Sequence, residues 1–137
     1  QMGVTMVKRK VLETCVQIAR DRVANRAHPD WHRYIHFTFI VVDNQIISTG
    51  MNRVALPPPG LGYQTYQKWH SEIDALFPVR KRIDRSGVAF DVVNIRMSRS
   101  GALKTSKPCM CCFRLLEKFG CKSIAYSTEL GFMFMRC

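Results

Sequence analysis

A chain of 137 residues with 47% apolar and 23% charged residues has the makeup of one globular domain, and residues 1–137 are predicted to form a single unit. No apolar run approaches the roughly 20 residues of a membrane helix and no secretory pattern is expected, which sets aside membrane-spanning and exported classes. Twenty-one Lys and Arg against ten acidic residues leave a net charge of +11, more than solubility requires, and point to a polyanion or a phosphorylated partner.

Val7, Val11, Cys15, Ile18 and Ala19 recur at helical spacing, so a first helix is predicted from Val7 to about Arg26, with Lys8, Arg9, Lys10, Arg20, Arg22 and Arg26 on its outer face. His28-Pro29-Asp30 ends it, and His28 and His32 fall in polar loop sequence and are read as inert. Tyr34 to Val42 is β-branched and aromatic, Asp43-Asn44-Gln45 is turn chemistry, and Ile46 to Gly50 resumes a strand, which together predict a hairpin. His36, inside the first strand, is expected on the core or sheet face. Pro57-Pro58-Pro59-Gly60 enforces a loop that reaches Trp69. Tyr63, Tyr66 and Trp69 interleave there with Lys68, a composition that either stacks an unpaired base or packs the loop onto the core.

From His70 a helix is predicted through Ile73, Leu76 and Phe77 toward Arg82, kinked or ended by Pro78. Arg80-Lys81-Arg82 and Arg85 form the densest basic cluster. Phe90 to Met97 reads as the third strand, Ser98-Arg99-Ser100-Gly101 as a turn, and Leu103 to Lys107 as the return. Cys109 to Phe119 reads as a helix stopped by Gly120. Lys122 to Ser127 and Phe132 to Met135 are predicted as strands four and five. Their short link makes them an antiparallel hairpin, because a parallel return needs a dozen or more residues.

Two motifs carry the chemistry, His70-Ser71-Glu72 and Pro108-Cys109-Met110-Cys111-Cys112. On a helix turning about 100° per residue, Cys109 and Cys112 lie about 60° apart, whereas Cys111 is about 160° from Cys109 and is the poorer ligand. Pro108 suits a helix's first turn, where no N–H is needed, and the positive end of the helix dipole favours thiolates there. One imidazole and two thiolates leave the fourth position of a tetrahedral zinc for water. Residues i and i+2 do not share a helix face, so His70 and Glu72 can converge only if His70 stands at the very start of its helix. The alternative is a closed structural site with Cys111, Cys121 or His36 as fourth ligand. With two cysteines claimed by a metal, the other four read as free thiols of a reducing compartment, cytoplasmic or nuclear.

H-x-E followed by P-C-x-x-C is the signature of zinc-dependent nucleobase deaminases, and the chain resembles the cytidine deaminase superfamily over essentially its whole length. The resemblance implies a three-layer α/β fold, a five-stranded mixed sheet flanked by helices and closed by the C-terminal hairpin. It implies Zn²⁺ on His70, Cys109 and Cys112, with Glu72 as the catalytic proton carrier. Gly50-Met51-Asn52 resembles the turn of tRNA adenosine and deoxycytidylate deaminases in which an Asn contacts the nucleoside, a role for Asn52 that competes with capping its own turn. Ser106, Pro108 and Tyr126 are expected as further substrate contacts, and Arg53, Lys68, Arg80, Lys81, Arg82 and Lys107 as contacts to a nucleic-acid backbone.

Cys111 before the second ligand and Phe113-Arg114 after it stand where the adenosine-acting relatives carry Met and small residues, which favours cytosine. Charge and the aromatic loop point to cytosine in single-stranded DNA or RNA. The terminal hairpin resembles the free-cytidine branch and keeps cytidine, deoxycytidine or deoxycytidylate as the alternative. An adenosine-acting enzyme or a non-catalytic zinc-binding module completes the set.

Overall fold

The computed structural model describes residues 7–25, 34–53 and 69–137. The predicted first helix is α1, Arg9–Ala24, whose buried stripe is Leu12, Cys15, Ala19 and Val23 and whose cations at Lys10, Arg20 and Arg22 are exposed. The hairpin is β1 (Tyr34–Val42) and β2 (Gln45–Met51), joined by Asp43 and Asn44, both at positive φ. Two left-handed residues make the tight turn whose twist matches paired strands, and Asp and Asn tolerate that conformation.

Pro78 acts as expected. The helix from the H-x-E motif runs as α2 (Ser71–Leu76), tightens to a 3-10 turn over Phe77–Val79, and resumes as α3 (Arg80–Ser86). Then come β3 (Phe90–Ser98), β4 (Leu103–Lys104), α4 (Met110–Lys118), β5 (Cys121–Thr128) and β6 (Gly131–Arg136). Gly120 ends α4 at positive φ, the C-terminal stop expected of it.

The sheet is mixed, in the order β2-β1-β3-β5-β6. Only β3 and β5 pair in parallel, through a crossover that contains α4, and β5 and β6 form the predicted antiparallel hairpin. The five expected strands gain a sixth. Leu103–Lys104 turns back along β3, pairing Arg96 with Lys104 and Met97 with Leu103 just beyond the stretch that β5 occupies. Two residues carry no period, so that strand was not readable as one.

Strand alternation divides the interior. Phe37, Phe39, Val41, Val93, Ile95 and Met97 face α1 in one apolar cluster, while Ile40, Val92, Phe90 and Ile124 face α2, α3 and α4 in the other. Thr38 and Asn94 share the second face, directly opposite each other across β1 and β3. They are buried polar residues in otherwise apolar strands. No helix of the described residues is long and apolar enough to cross a membrane.

On the second face, α2 is held against the sheet at a close backbone contact. A Cβ on Gly50 would meet the backbone of Ala75 and come 2.6 Å from the Ser71 carbonyl oxygen, so β2 and α2 touch there without an intervening side chain. Ser48 Oγ donates to the Ala75 carbonyl at 2.6 Å, and Asp74 Oδ2 accepts from the Met51 N–H at 2.9 Å beside it. Gly50→Ala is expected to lower stability by about 1–3 kcal/mol, as overpacking does, and thermal unfolding should show a melting temperature several degrees lower.

Candidate metal centre and active site

His70 is the N-cap of α2 and Cys109 the N-cap of α4, both in extended backbone (φ −69°, ψ 155° and φ −69°, ψ 163°). The chain therefore delivers an imidazole and a thiol from just outside two helices, and Cys112 joins them from the first turn of α4. His70 Nδ1 lies 3.3 Å from Cys112 Sγ and 3.8 Å from Cys109 Sγ, and the three donor atoms lie within 4.8 Å of one another. Tetrahedral zinc, with Zn–S about 2.3 Å and Zn–N about 2.0 Å, separates its donors by roughly 3.5–3.8 Å, so this group fits the ion. His70, Cys109 and Cys112 are the one such group among the described residues; Cys111, Cys121 and His36 are not part of it.

The electrostatics favour the ligating form of the sulfur. The Cys109 thiol is held down to about 3, from an ordinary 9.0, first by a hydrogen bond from Cys112 and then by His70, against the opposing effect of burial. Cys15, on the buried face of α1, is pushed up to about 12 by burial.

Glu72 is buried beside this group, 7% exposed, yet not unsupported. Asn94 Nδ2 donates to its Oε2 at 2.8 Å, and Ser71 Oγ lies 3.4 Å from its Oε1. Asn94 also donates to the Ser106 carbonyl at 3.3 Å, and Ser106 Oγ donates back to the Asn94 carbonyl at 2.8 Å. A chain of buried hydroxyls and amides thus ties the carboxylate to the segment that leads into the cysteines. A cavity of about 250 Å³ opens over it, lined by His36, Asn52, His70, Ser71, Glu72, Ser106, Lys107 and Cys109.

No family model and no curated protein matches the sequence. Among solved structures, the chain is similar to cytidine deaminase from Mycobacterium leprae, at 18% identity over 89% of this chain and 91% of that one, with a TM-score of 0.53. It is likewise similar to dCMP deaminase from the cyanophage S-TIM5, at 18% identity over 87% of this chain and 83% of that one, with a TM-score of 0.53. The chain has the cytidine deaminase fold.

Within this cytidine deaminase fold the sequence-predicted residues divide cleanly. His70, Glu72, Cys109, Asn52, Ser106 and Lys107 line the cavity, and Cys112 lies behind it in the donor group. The Asn52 side chain reaches across to β1, where its Oδ1 accepts from the His36 N–H at 3.1 Å, which leaves Nδ2 as its donor toward a ligand. Trp69, Pro108 and Tyr126 do not line the cavity. Trp69 pairs as an isolated bridge with Arg53, whose guanidinium stands 5.3 Å above the indole and 2.7 Å from Asp74 Oδ1. Arg80 stacks on Phe77 at 3.7 Å and donates to its carbonyl, while Lys81 and Arg82 are exposed on α3. Tyr63, Tyr66, Lys68, His28, His32 and the proline-rich loop lie outside the described residues.

His36, expected as a sheet-face residue, contributes to the cavity because even-numbered residues of β1 face α2. Asn94, Thr38 and Ser71 were not anticipated as site residues. Asn94 carried a signal, as a polar residue of low strand preference inside Val92–Met97; Thr38 suits a strand and Ser71 opens α2, so neither stood out.

The three-donor group predicts one zinc per chain by elemental analysis. Replacing His70, Cys109 or Cys112 by Ala should cost at least tenfold in zinc affinity, whereas Cys111→Ala should bind zinc as before. In the metal-free protein, alkylation of Cys109 by iodoacetamide should stay fast from pH 8 down to about pH 5. An ordinary thiol slows tenfold per unit over that range, because its thiolate fraction falls below its pKa.

Proposed function

We propose that this protein is a zinc-dependent hydrolase that replaces the amino group of cytosine by oxygen, giving uracil and ammonia, in a nucleoside or nucleotide. The observation that carries the reading is the carboxylate of Glu72, buried at the foot of an open cavity and adjacent to three metal donors on two helix starts. A closed structural zinc site has no use for such a carboxylate. When bound, zinc would supply Lewis acidity that brings the ionisation of water near neutral pH.

The remaining work falls to residues of the chain. Glu72 takes a proton from the attacking water and passes it to N3 of the ring as C4 is attacked. It then takes the remaining proton from the new C4 hydroxyl and delivers it to the amine, so that C4=O forms as ammonia leaves. Burial keeps competing water from that proton, and the Asn94 amide holds the carboxylate in place. Asn52 Nδ2 is positioned to bind a sugar or base oxygen, and the backbone around Ser106 to Cys109 to bind the ring's exocyclic groups. Lys107 gives the cavity wall a positive charge suited to an anionic substrate. Likeness in fold to a cytidine deaminase and a dCMP deaminase supports a single nucleoside or nucleotide as substrate.

Cytosine in single-stranded DNA or RNA is the second reading, favoured by the net charge of +11 and by exposed Lys81, Arg82 and Arg85 on α3. Salt distinguishes the two. Turnover of a single-stranded oligonucleotide at low concentration should fall steeply between 50 and 200 mM salt, by about 300-fold if six phosphates are contacted, while turnover of cytidine should hardly change. Uracil formed only from cytidine or deoxycytidylate would exclude the polymer. Under either reading Glu72→Gln should keep its zinc and release ammonia at least 10³-fold more slowly; wild-type turnover by that variant would refute the mechanism.

A further inference from the structure

Asn94 sits in the middle of β3, 3% exposed, outside the lining of the cavity. Its amide orientation is dictated by its neighbours. One end faces the Ser106 carbonyl oxygen at 3.3 Å, which can only accept, so Nδ2 must occupy that end and also meets Glu72 Oε2 at 2.8 Å. The other end, Oδ1, faces Thr38 Oγ1 at 2.7 Å. Oδ1 can only accept, so Thr38 commits its single hydroxyl proton to it.

The count then propagates. Thr38 Oγ1 and Ser71 Oγ are 2.8 Å apart, and with the Thr38 proton already committed the donor between them is Ser71. The single Ser71 proton is therefore directed to Thr38 and is unavailable to Glu72 Oε1, 3.4 Å away. The two carboxylate oxygens end up unequal. Oε2 carries a fixed N–H donor, and among the described residues Oε1 meets only a hydroxyl whose proton points elsewhere.

We infer that Asn94 is a positioning residue that selects Oε1 as the proton-carrying oxygen of Glu72. This rests on the deaminase reading. A proton on Oε2 would face the amide N–H and cost the 2.8 Å hydrogen bond, so proton uptake from water and delivery to substrate both use Oε1. The carboxyl group need not rotate between the two transfers. The same amide, through the Ser106 carbonyl, locks Glu72 to the segment preceding Pro108 and Cys109.

The test compares Asn94→Leu and Asn94→Ala, both lacking any side-chain donor, with Ser127→Ala. Ser127 belongs to the same buried network through its 2.9 Å contact with Ser106 but touches neither Asn94's amide nor Glu72. Whichever cytosine substrate the wild-type protein turns over is used to measure kcat, KM and bound zinc. The expected result is a fall of about 10²-fold in kcat for both Asn94 variants, with KM within threefold and zinc unchanged, while Ser127→Ala keeps its kcat and loses only thermal stability. Should Asn94→Leu fail to fold, Asn94→Ala decides. Unchanged kcat in Asn94→Ala, loss of zinc with loss of rate, or an equal rate loss in Ser127→Ala would each overturn the positioning role while leaving the deaminase reading standing. A wild-type protein that forms no uracil from cytidine, deoxycytidylate or an oligonucleotide would instead remove that reading itself.

Discussion

The constraint on which the rest depends is the meeting of two helix starts. An H-x-E motif within a helix sends its two side chains about 200° apart, so it can serve one site only where the backbone is still extended at the His. Here that condition holds on both sides of the metal group, at His70 and at Cys109. Each residue has left the strand-like conformation only after its own position, and the following turn then carries Glu72 or Cys112 into the same space. The positive end of α4 adds its partial charge to a sulfur already stabilised by its neighbours.

Sheet topology brings those two starts together. The contact at Gly50 holds α2 against β2, and the parallel pairing of β3 with β5 obliges the chain to cross over through α4 on the same face. Between them the sheet presents not a uniform apolar surface but a polar strip, Thr38 and Asn94, flanked by Ile40 and Val92. A buried carboxylate in such a place is costly unless donors meet it, and the strip supplies one. The polar residues that interrupt the core are the ones that make Glu72 tolerable inside it.

Much of this was legible beforehand because it rests on periods and on breaker residues. Alternation in Tyr34–Val42 and Phe90–Met97, the 3.6-residue stripe around Cys15, Pro78 and Gly120 each fixed an element to within a few residues. The two-residue spacing of His70 and Glu72 by itself demands an extended backbone at His70, and the structure has one. Less legible were the features that depend on distant pairing. β4 is two residues held only by its register with β3, and the role of Asn94 emerges only when Ser106 and Thr38 arrive from other parts of the chain. Basic residues named as partners for phosphate proved partly engaged at home, Arg53 with Trp69 and Asp74 and Arg80 with Phe77, because a guanidinium finds planar and anionic neighbours within its own fold as readily as outside it.

X-ray absorption at the zinc edge of the loaded protein tests the centre of this account most directly. Two sulfurs at about 2.3 Å and two lighter atoms at about 2.0 Å, one of which changes when a cytosine nucleoside is added, are the expected shell. A shell of three or four sulfurs, indifferent to the nucleoside, would mean a closed structural ion and contradict the account.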